Sequence, residues 1–364
     1  MKKRKGRGSP FILYPRQNIE EIRQCVLENF GFIKYELPFL NALCVEIPEE
    51  RVQMIKTNRR VAAMSEDIQV SKLCTSESFF DTKRRMPKTN DYNHGEGVAI
   101  AVIDTGVAPH CDLIRPFNRI LSFQDFVNGR ILPYDDDGHG THVSGIALGN
   151  GYSSGGEYRG TAPGAALVAL KALDNEGNGN ASDILAAMQW IYKNHKRYNI
   201  KVVNLSLGVL PSEGSQIDPL VLGANALIEA GICVIAAAGN SGPSRASITS
   251  PGVSPQVLTV GSCDSKRHIP DFSSRGPTPA GKIKPDLVSP GVDIISLSAQ
   301  NPEGYVSHSG TSMSAPYVSG LAAKYFAHHP DASPKEVRQA LRCCAIPIKK
   351  EDPNAQGCGA LFED

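Results

Sequence analysis

The stretch His308-Ser-Gly-Thr-Ser-Met-Ser-Ala-Pro-Tyr-Val-Ser-Gly320 decides how this chain reads. It predicts a tight turn running directly into a helix, with Ser312 where the helix begins. Gly310 permits the turn. Pro316 suits a first helical turn, where a missing N–H does no harm, and the small residues from Ser314 to Ala323 allow close packing behind it. A serine so placed has an exposed hydroxyl and a free backbone N–H at the positive end of a helix dipole. That suits a nucleophile whose attack creates an oxyanion. Read alone, the same serine is an ordinary N-cap.

Two other stretches shift that balance. Val98-Ala-Ile-Ala-Val-Ile-Asp-Thr-Gly106 is an apolar run ending in an acid. It predicts a buried parallel strand with Asp104 at its C-terminal end, where open α/β sheets place functional residues. On its own Asp104 would make an Asx turn with Gly106. Asp137-Gly-His-Gly-Thr-His-Val-Ser-Gly145 is a glycine-flanked histidine opening a helix. A neutral serine is a poor nucleophile and needs a base.

Asp, His and Ser in that chain order are the subtilisin arrangement of the catalytic triad. On these three motifs, residues 75 to 364 resemble a subtilisin-like serine protease (subtilase, peptidase family S8). The resemblance implies that Ser312 is the nucleophile and that His139, the first histidine of His-Gly-Thr-His, is the base. His142 would support or pack. Asp104 would fix the imidazole tautomer. Asn240, ending Ala236-Ala-Ala-Gly-Asn, would be the oxyanion donor together with the Ser312 N–H. Gly177-Asn178-Gly179 and Ser206-Leu207-Gly208 would flank an extended peptide substrate, and Leu207, Ala237, Gly239 and Pro251 would line a broad apolar pocket.

Hydrophobic residues make up 41% and charged residues 21%, as in soluble globular proteins. Lys+Arg of 38 against Asp+Glu of 37 gives no bias toward nucleic acid or a membrane surface. The basic start, Lys2 to Arg7, precedes no apolar run long enough for a signal peptide, and no stretch approaches the ~20 apolar residues of a membrane span. Nine cysteines without Cys-x-x-Cys spacing read as reduced thiols. A cytoplasmic location is expected, with release by a non-classical route as the alternative.

Four segments are expected. Residues 1–9 form a basic tail. Residues 10–72 follow a β-α-β-β-α-β order, a ferredoxin-like α+β unit: strand Phe11–Tyr14, a helix from Ile19 to Phe30 capped by Asn18 and stopped by Gly31, strands over 32–37 and 42–47, a helix to Thr57, and a last strand over 61–70. Residues 73–96 form a linker that includes the basic cluster Lys83, Arg84 and Arg85, and residues 97–364 form the peptidase-like core. Strands alternate with helices from Gly97 onward. The fold class is therefore α/β, a mostly parallel sheet with helices on both faces. Ser182 and Asp183 are expected to cap one helix and Ser333 another. The first unit resembles the subtilase propeptide, an intramolecular folding chaperone and inhibitor, which places self-cleavage between residues 70 and 80.

No cofactor is required for this chemistry. Calcium remains open: Asp112 matches one ligand of the family's strong site, but Gly149–Gly164 lacks the long calcium-binding loop. That short loop resembles the intracellular AprX-type branch. Asp135, Asp136, Asp137, His139 and His142 lack the His-Glu-x-x-His spacing of zinc proteases, and the metal assignment for the chain is none. The Gly-x-Ser-x-Gly elbow and Ser-Asp-His order of α/β-hydrolase esterases are absent. The expected function is a serine endopeptidase with polypeptide substrates and its own propeptide as inhibitor. The alternative is a catalytically inactive binding or regulatory protein on the same fold.

Overall fold

A computed structural model describes residues 8–78, 94–211 and 217–363. The basic cluster Lys83–Arg85 and most of the N-terminal tail lie outside these residues. Seven parallel strands form the central sheet, in the order Leu287–Pro290, Leu258–Cys263, Cys233–Ala237, Ile200–Leu205, Ala99–Asp104, Ala166–Lys171 and Ile120–Asp125. Ala99–Asp104 lies between Ile200–Leu205 and Ala166–Lys171, and every residue in it is buried. Successive side chains point to opposite faces. Ile100 and Val102 meet helices His139–Leu148 and Thr311–His328, whereas Ala99, Ala101 and Ile103 meet helices Ala181–Tyr198 and Pro219–Glu229. The continuous apolar run is thus a strand covered twice, as expected.

The N-terminal unit follows β-α-β-β-α-β, with strands Ser9–Pro15, Phe32–Leu37, Ala42–Ile47 and Val61–Glu66 and helices Ile19–Glu28 and Glu49–Lys56. Its antiparallel sheet places Phe32–Leu37 beside Ala42–Ile47, then Ser9–Pro15, then Val61–Glu66. The same two-residue alternation gives this sheet two buried faces. Leu13, Leu43 and Val45 pack on its own helices through Ile22, Val26 and Ile55. Ile12, Tyr14 and Cys44 join the core around Ala181–Tyr198 and Pro219–Glu229.

Several boundaries differ from expectation. The last strand of the N-terminal unit stops at Glu66, and Gln69–Lys72 is a separate strand that leaves the sheet. Ile19–Glu28 is capped by Asn18, whose side chain accepts from the Glu21 N–H at 3.1 Å, but its exit turn uses a positive φ at Phe30 rather than Gly31. Ala181–Tyr198 is not capped by its own Ser182 or Asp183. Its first N–H groups donate to the Ile68 carbonyl (from Ala181, 2.9 Å) and to Asp67 Oδ1 (from Ser182, 2.8 Å). Lys34 and Tyr35 bind the Asp183 carboxylate at 2.9 and 2.8 Å. The N-terminal unit therefore supplies the cap of a helix more than a hundred residues away. Pro334–Cys344 carries the expected Ser333 cap, completed as a capping box by Glu336. Strands Leu287–Pro290, Ile294–Leu297 and Tyr305–Ser309 were not expected. No disulfide joins any of the nine cysteines, and among the described residues no helix is long and apolar enough to cross a membrane.

His142 links its helix to the hairpin of Ile294–Leu297 and Tyr305–Ser309. Its Nε2–H donates to the carbonyls of Ile294 and Val306 at 3.1 and 3.0 Å. Burial, reinforced by the nearby His308 and His139 rings, holds its pKa well below the ordinary 6.5. Two tests follow, both in a Ser312→Ala background that removes the candidate nucleophile. Below pH 6.5 the unfolded chain protonates this imidazole and the folded chain does not, so stability falls with pH there. The denaturant midpoint should drop as pH is lowered from 7 to 5, with a shallower drop in His142→Gln. Asp67→Ala should lower stability by about 1–2 kcal/mol, the size of a lost helix cap, read in the same unfolding assay.

Candidate active site

Asp104 ends its strand fully buried, and the Thr105 N–H donates to its Oδ1 at 2.7 Å. His139 opens the helix His139–Leu148, and its Nδ1 lies 2.7 Å from the same Oδ1. An ionised acid there assigns the proton to Nδ1 and leaves Nε2 as the basic nitrogen. Nε2 is buried and has no hydrogen-bond partner. Gly140 permits this approach, because a Cβ there would stand 2.3 Å from the Gly106 carbonyl oxygen and 3.1 Å from Asp104 Cβ.

The acidic turn before His139 is divided among three tasks. Asp135 accepts from the N–H groups of Gly138 and Thr141 at 2.8 Å each and from the hydroxyls of Thr105 and Thr141 at 2.9 and 2.7 Å. It thereby caps the helix. Asp136 holds the buried ammonium of Lys171 at 2.7 Å, which also donates to the carbonyls of Thr105 and Leu173. Lys171 is the parallel-register neighbour of Asp104, so this cation ties the turn to the end of the sheet. Asp137 binds Lys72.

Ser312 is the second residue of the helix Thr311–His328, entered from strand Tyr305–Ser309 through Gly310 at φ 152°. It is fully buried rather than exposed, because the chain's own Leu73 lies across it: the Leu73 N–H donates to Ser312 Oγ at 3.1 Å and the Ser312 N–H to the Leu73 carbonyl at 3.2 Å. The Ser312 hydroxyl donates to the Ser206 carbonyl at 2.9 Å, and no hydrogen bond joins it to His139. Pro316 sits one turn further into the helix than expected. It has no N–H for the Ser312 carbonyl four residues before it, and that carbonyl instead accepts from the Ser206 hydroxyl at 2.9 Å.

Asn240 follows the strand Cys233–Ala237. Its Oδ1 accepts from the N–H and hydroxyl of Thr311 at 3.0 and 2.9 Å. This fixes the amide and directs its NH2 away from Thr311; Nδ2 is buried and unpartnered. A Cβ on Gly310 would stand 2.6 Å from the Leu73 carbonyl oxygen and 3.1 Å from Asn240 Nδ2. The Leu73 carbonyl oxygen and the Asn240 amide thus both lie beside Gly310, and the carbonyl accepts from the Ser312 N–H. Thr311 is the residue that sequence reasoning missed here. A Thr beside a candidate nucleophile was the available signal.

Residues 69–75 run through the cleft. Gln69–Lys72 is the middle strand between Asn178–Asn180 and Leu207–Gly208, antiparallel to both. Ser71 pairs with Asn178 and Gly208, Val70 with Gly179 and Lys72 with Leu207. The Lys72 N–H donates to the Gly177 carbonyl at 2.9 Å and the Leu73 N–H faces the Ser206 carbonyl at 3.3 Å. Beyond Leu73, the Thr75 N–H donates to the Ser309 carbonyl at 3.0 Å, and Ser76–Ser78 pairs with Tyr305–Ser309. Gly177, Asn178, Gly179, Ser206, Leu207 and Gly208 thus all border this segment. Ala237 and Gly239 form no hydrogen bond with it. They stand at the end of their strand, where the Gly239 N–H donates to the Thr311 hydroxyl at 3.2 Å.

Asp112 does not present a cation cage. Its oxygens accept from the Tyr305 hydroxyl at 2.8 Å and the Ser153 N–H at 2.9 Å, with His110 Nδ1 3.7 Å away. A calcium ion would have to displace these donors. Among the described residues no group of three or more His, Cys, Asp or Glu side chains is placed to hold a metal.

Residues 95–359 match the Subtilase family, peptidase S8. The chain is 42% identical to serine protease AprX of Bacillus subtilis (strain 168), with 73% of this chain and 65% of that protein covered. It is 32% identical to M-protease of Shouchella clausii (strain KSM-K16), covering 90% and 79% of the two chains, and 31% identical to subtilisin E of Bacillus subtilis (strain 168), covering 89% and 80%. With a family match spanning most of its length and relatives above 30% identity covered over more than two thirds of their own length, the chain belongs to the subtilase family.

Proposed function

We propose that the chain is a serine endopeptidase that first cuts its own backbone between Leu73 and Cys74, with residues upstream of the cut acting as folding aid and inhibitor. One observation carries this reading: the Leu73 carbonyl oxygen lies 3.2 Å from the Ser312 N–H while its strand is held on both edges. A bound peptide presented this way is a substrate in place.

The steps follow from the groups around that carbonyl. The reaction requires the Ser312 hydroxyl to leave the Ser206 carbonyl, by rotation about its Cα–Cβ bond, for the unpartnered Nε2 of His139. His139 accepts the proton as Oγ attacks the Leu73 carbonyl carbon. Asp104 holds the imidazole tautomer and stabilises the imidazolium. The Ser312 N–H and the Asn240 amide receive the oxyanion. His139 then protonates the departing amine of Cys74, and water hydrolyses the Leu73 ester by the same relay. A polypeptide bound in the place of residues 69–75 is cut in the same way. None of these steps draws on a cofactor.

The N-terminal unit supports the inhibitory role through its cap on Ala181–Tyr198 and its buried outer face. Departure of this unit would leave that helix start and that apolar surface bare.

Wild-type protein should yield a mature fragment whose N-terminal sequencing begins at Cys74, and Ser312→Ala should remain full length on the same gel. A full-length wild type, or a first residue away from 74, would refute the assignment of the bond. Asn240→Ala should lower kcat on a denatured protein substrate by about 10²–10³, the magnitude known from subtilisin for a lost oxyanion donor, with little change in KM.

A further inference from the structure

We propose that Asp137 makes the subsite next to the cleaved residue a cation site, so that peptides carrying lysine immediately before the residue at the cut are preferred. This inference rests on the peptidase reading and deepens it by naming a substrate class.

Lys72 occupies that position, and its Nζ lies 2.8 and 2.5 Å from the two carboxylate oxygens of Asp137. The Asp137 side chain is only 7% exposed. The Lys72 side chain is 31% exposed, and a pair with one partner so shielded is stronger than one between two open surface groups. The stem has room as well as the charge. A Cβ on Gly177 would fall 2.4 Å from Lys72 Cδ and 2.7 Å from its Cγ and Cε, so the bare glycine leaves space for the methylenes where they lie. The backbone on either side is fixed, by the Lys72 N–H to the Gly177 carbonyl and by pairing with Leu207.

The neighbouring acids do not share this task. Asp135 is spent on the helix start and Asp136 on Lys171. Among the described residues, the cation that Asp137 holds comes from the segment that self-cleavage would release. The His139 N–H donates to Asp137 Oδ1 at 3.1 Å, which keeps the carboxylate at the mouth of the site once Lys72 is gone. A nearly buried carboxylate without its counter-charge favours any incoming chain that restores it. Leu73 selects nothing of this kind, because its neighbour's ammonium and not its own side chain meets the charge.

The test uses wild-type protein, expressed as the full chain and left to process, with internally quenched peptides containing Val-Ser-X-Leu, where X is Lys, Ala or Glu. The Lys peptide should exceed the Ala peptide in kcat/KM by about tenfold, the range of a charge-assisted hydrogen bond. The Glu peptide should be the poorest, and added NaCl should narrow the Lys-to-Ala ratio. In Asp137→Asn that ratio should fall to about two or below, whatever the variant's overall rate. Equal cleavage of the Lys and Ala peptides by wild type, or a Lys preference that survives in Asp137→Asn, overturns the inference alone. Because the wild-type ratio and its salt dependence decide without the variant, poor folding of Asp137→Asn leaves the test intact. Failure to cut any of the three peptides overturns the peptidase reading and this inference with it.

Discussion

The bond from the Ser312 N–H to the Leu73 carbonyl is the constraint around which the site is arranged. A helix start offers an N–H with no partner in its own helix, and here the partner is a peptide carbonyl delivered by a strand paired along both edges. Each of those backbone bonds contributes about 0.5–1.5 kcal/mol and is indifferent to side chains. Binding can therefore be strong without being selective, and selectivity falls to the few side chains that face the strand.

Holding that one carbonyl in position requires three distant pieces of chain to agree, and buried polar contacts enforce the agreement. Lys171 ties the acidic turn to the sheet beside Asp104, Asp135 fixes the start of the His139 helix, and Thr311 fixes the Asn240 amide. Each is a contact whose loss would leave a buried polar group unpaired, which is expensive. Pro316 adds to this by withholding an N–H. The Ser312 carbonyl is released from its helix and is taken up by the Ser206 hydroxyl. A residue that weakens a helix elsewhere here joins the Ser312 helix to the segment at Ser206.

Much of this was legible in the sequence because it is local. Val98–Gly106 reads as a doubly covered strand from its unbroken apolar run, and the helix starts at Asn18 and Ser333 read from their caps. The order Asp104, His139, Ser312 could be read from three short motifs. What escaped depends on partners far away in the chain. Residues 61–70 look like one strand, but Gln69–Lys72 belongs to partners at 178–180 and 207–208. Ser182 looks like a cap, yet the acceptor comes from Asp67. Leu287–Pro290, Ile294–Leu297 and Tyr305–Ser309 are short and carry polar residues, so no periodicity announces them. Asp137 stands in sequence as one of three consecutive acids, and its cation comes from residue 72, far upstream.

The double-edged hold on Gln69–Lys72 also has a consequence in time. Cutting after Leu73 removes no hydrogen bond upstream of the cut, so the new carboxyl end would stay where it was made. A freshly cut molecule would then be its own occupied competitor, and its first free cleft would wait for slow dissociation. Any molecule that did become vacant could destroy the detached units of its neighbours. A population would stay quiet for an interval and then switch on together, with a delay that shortens as the protein becomes more concentrated.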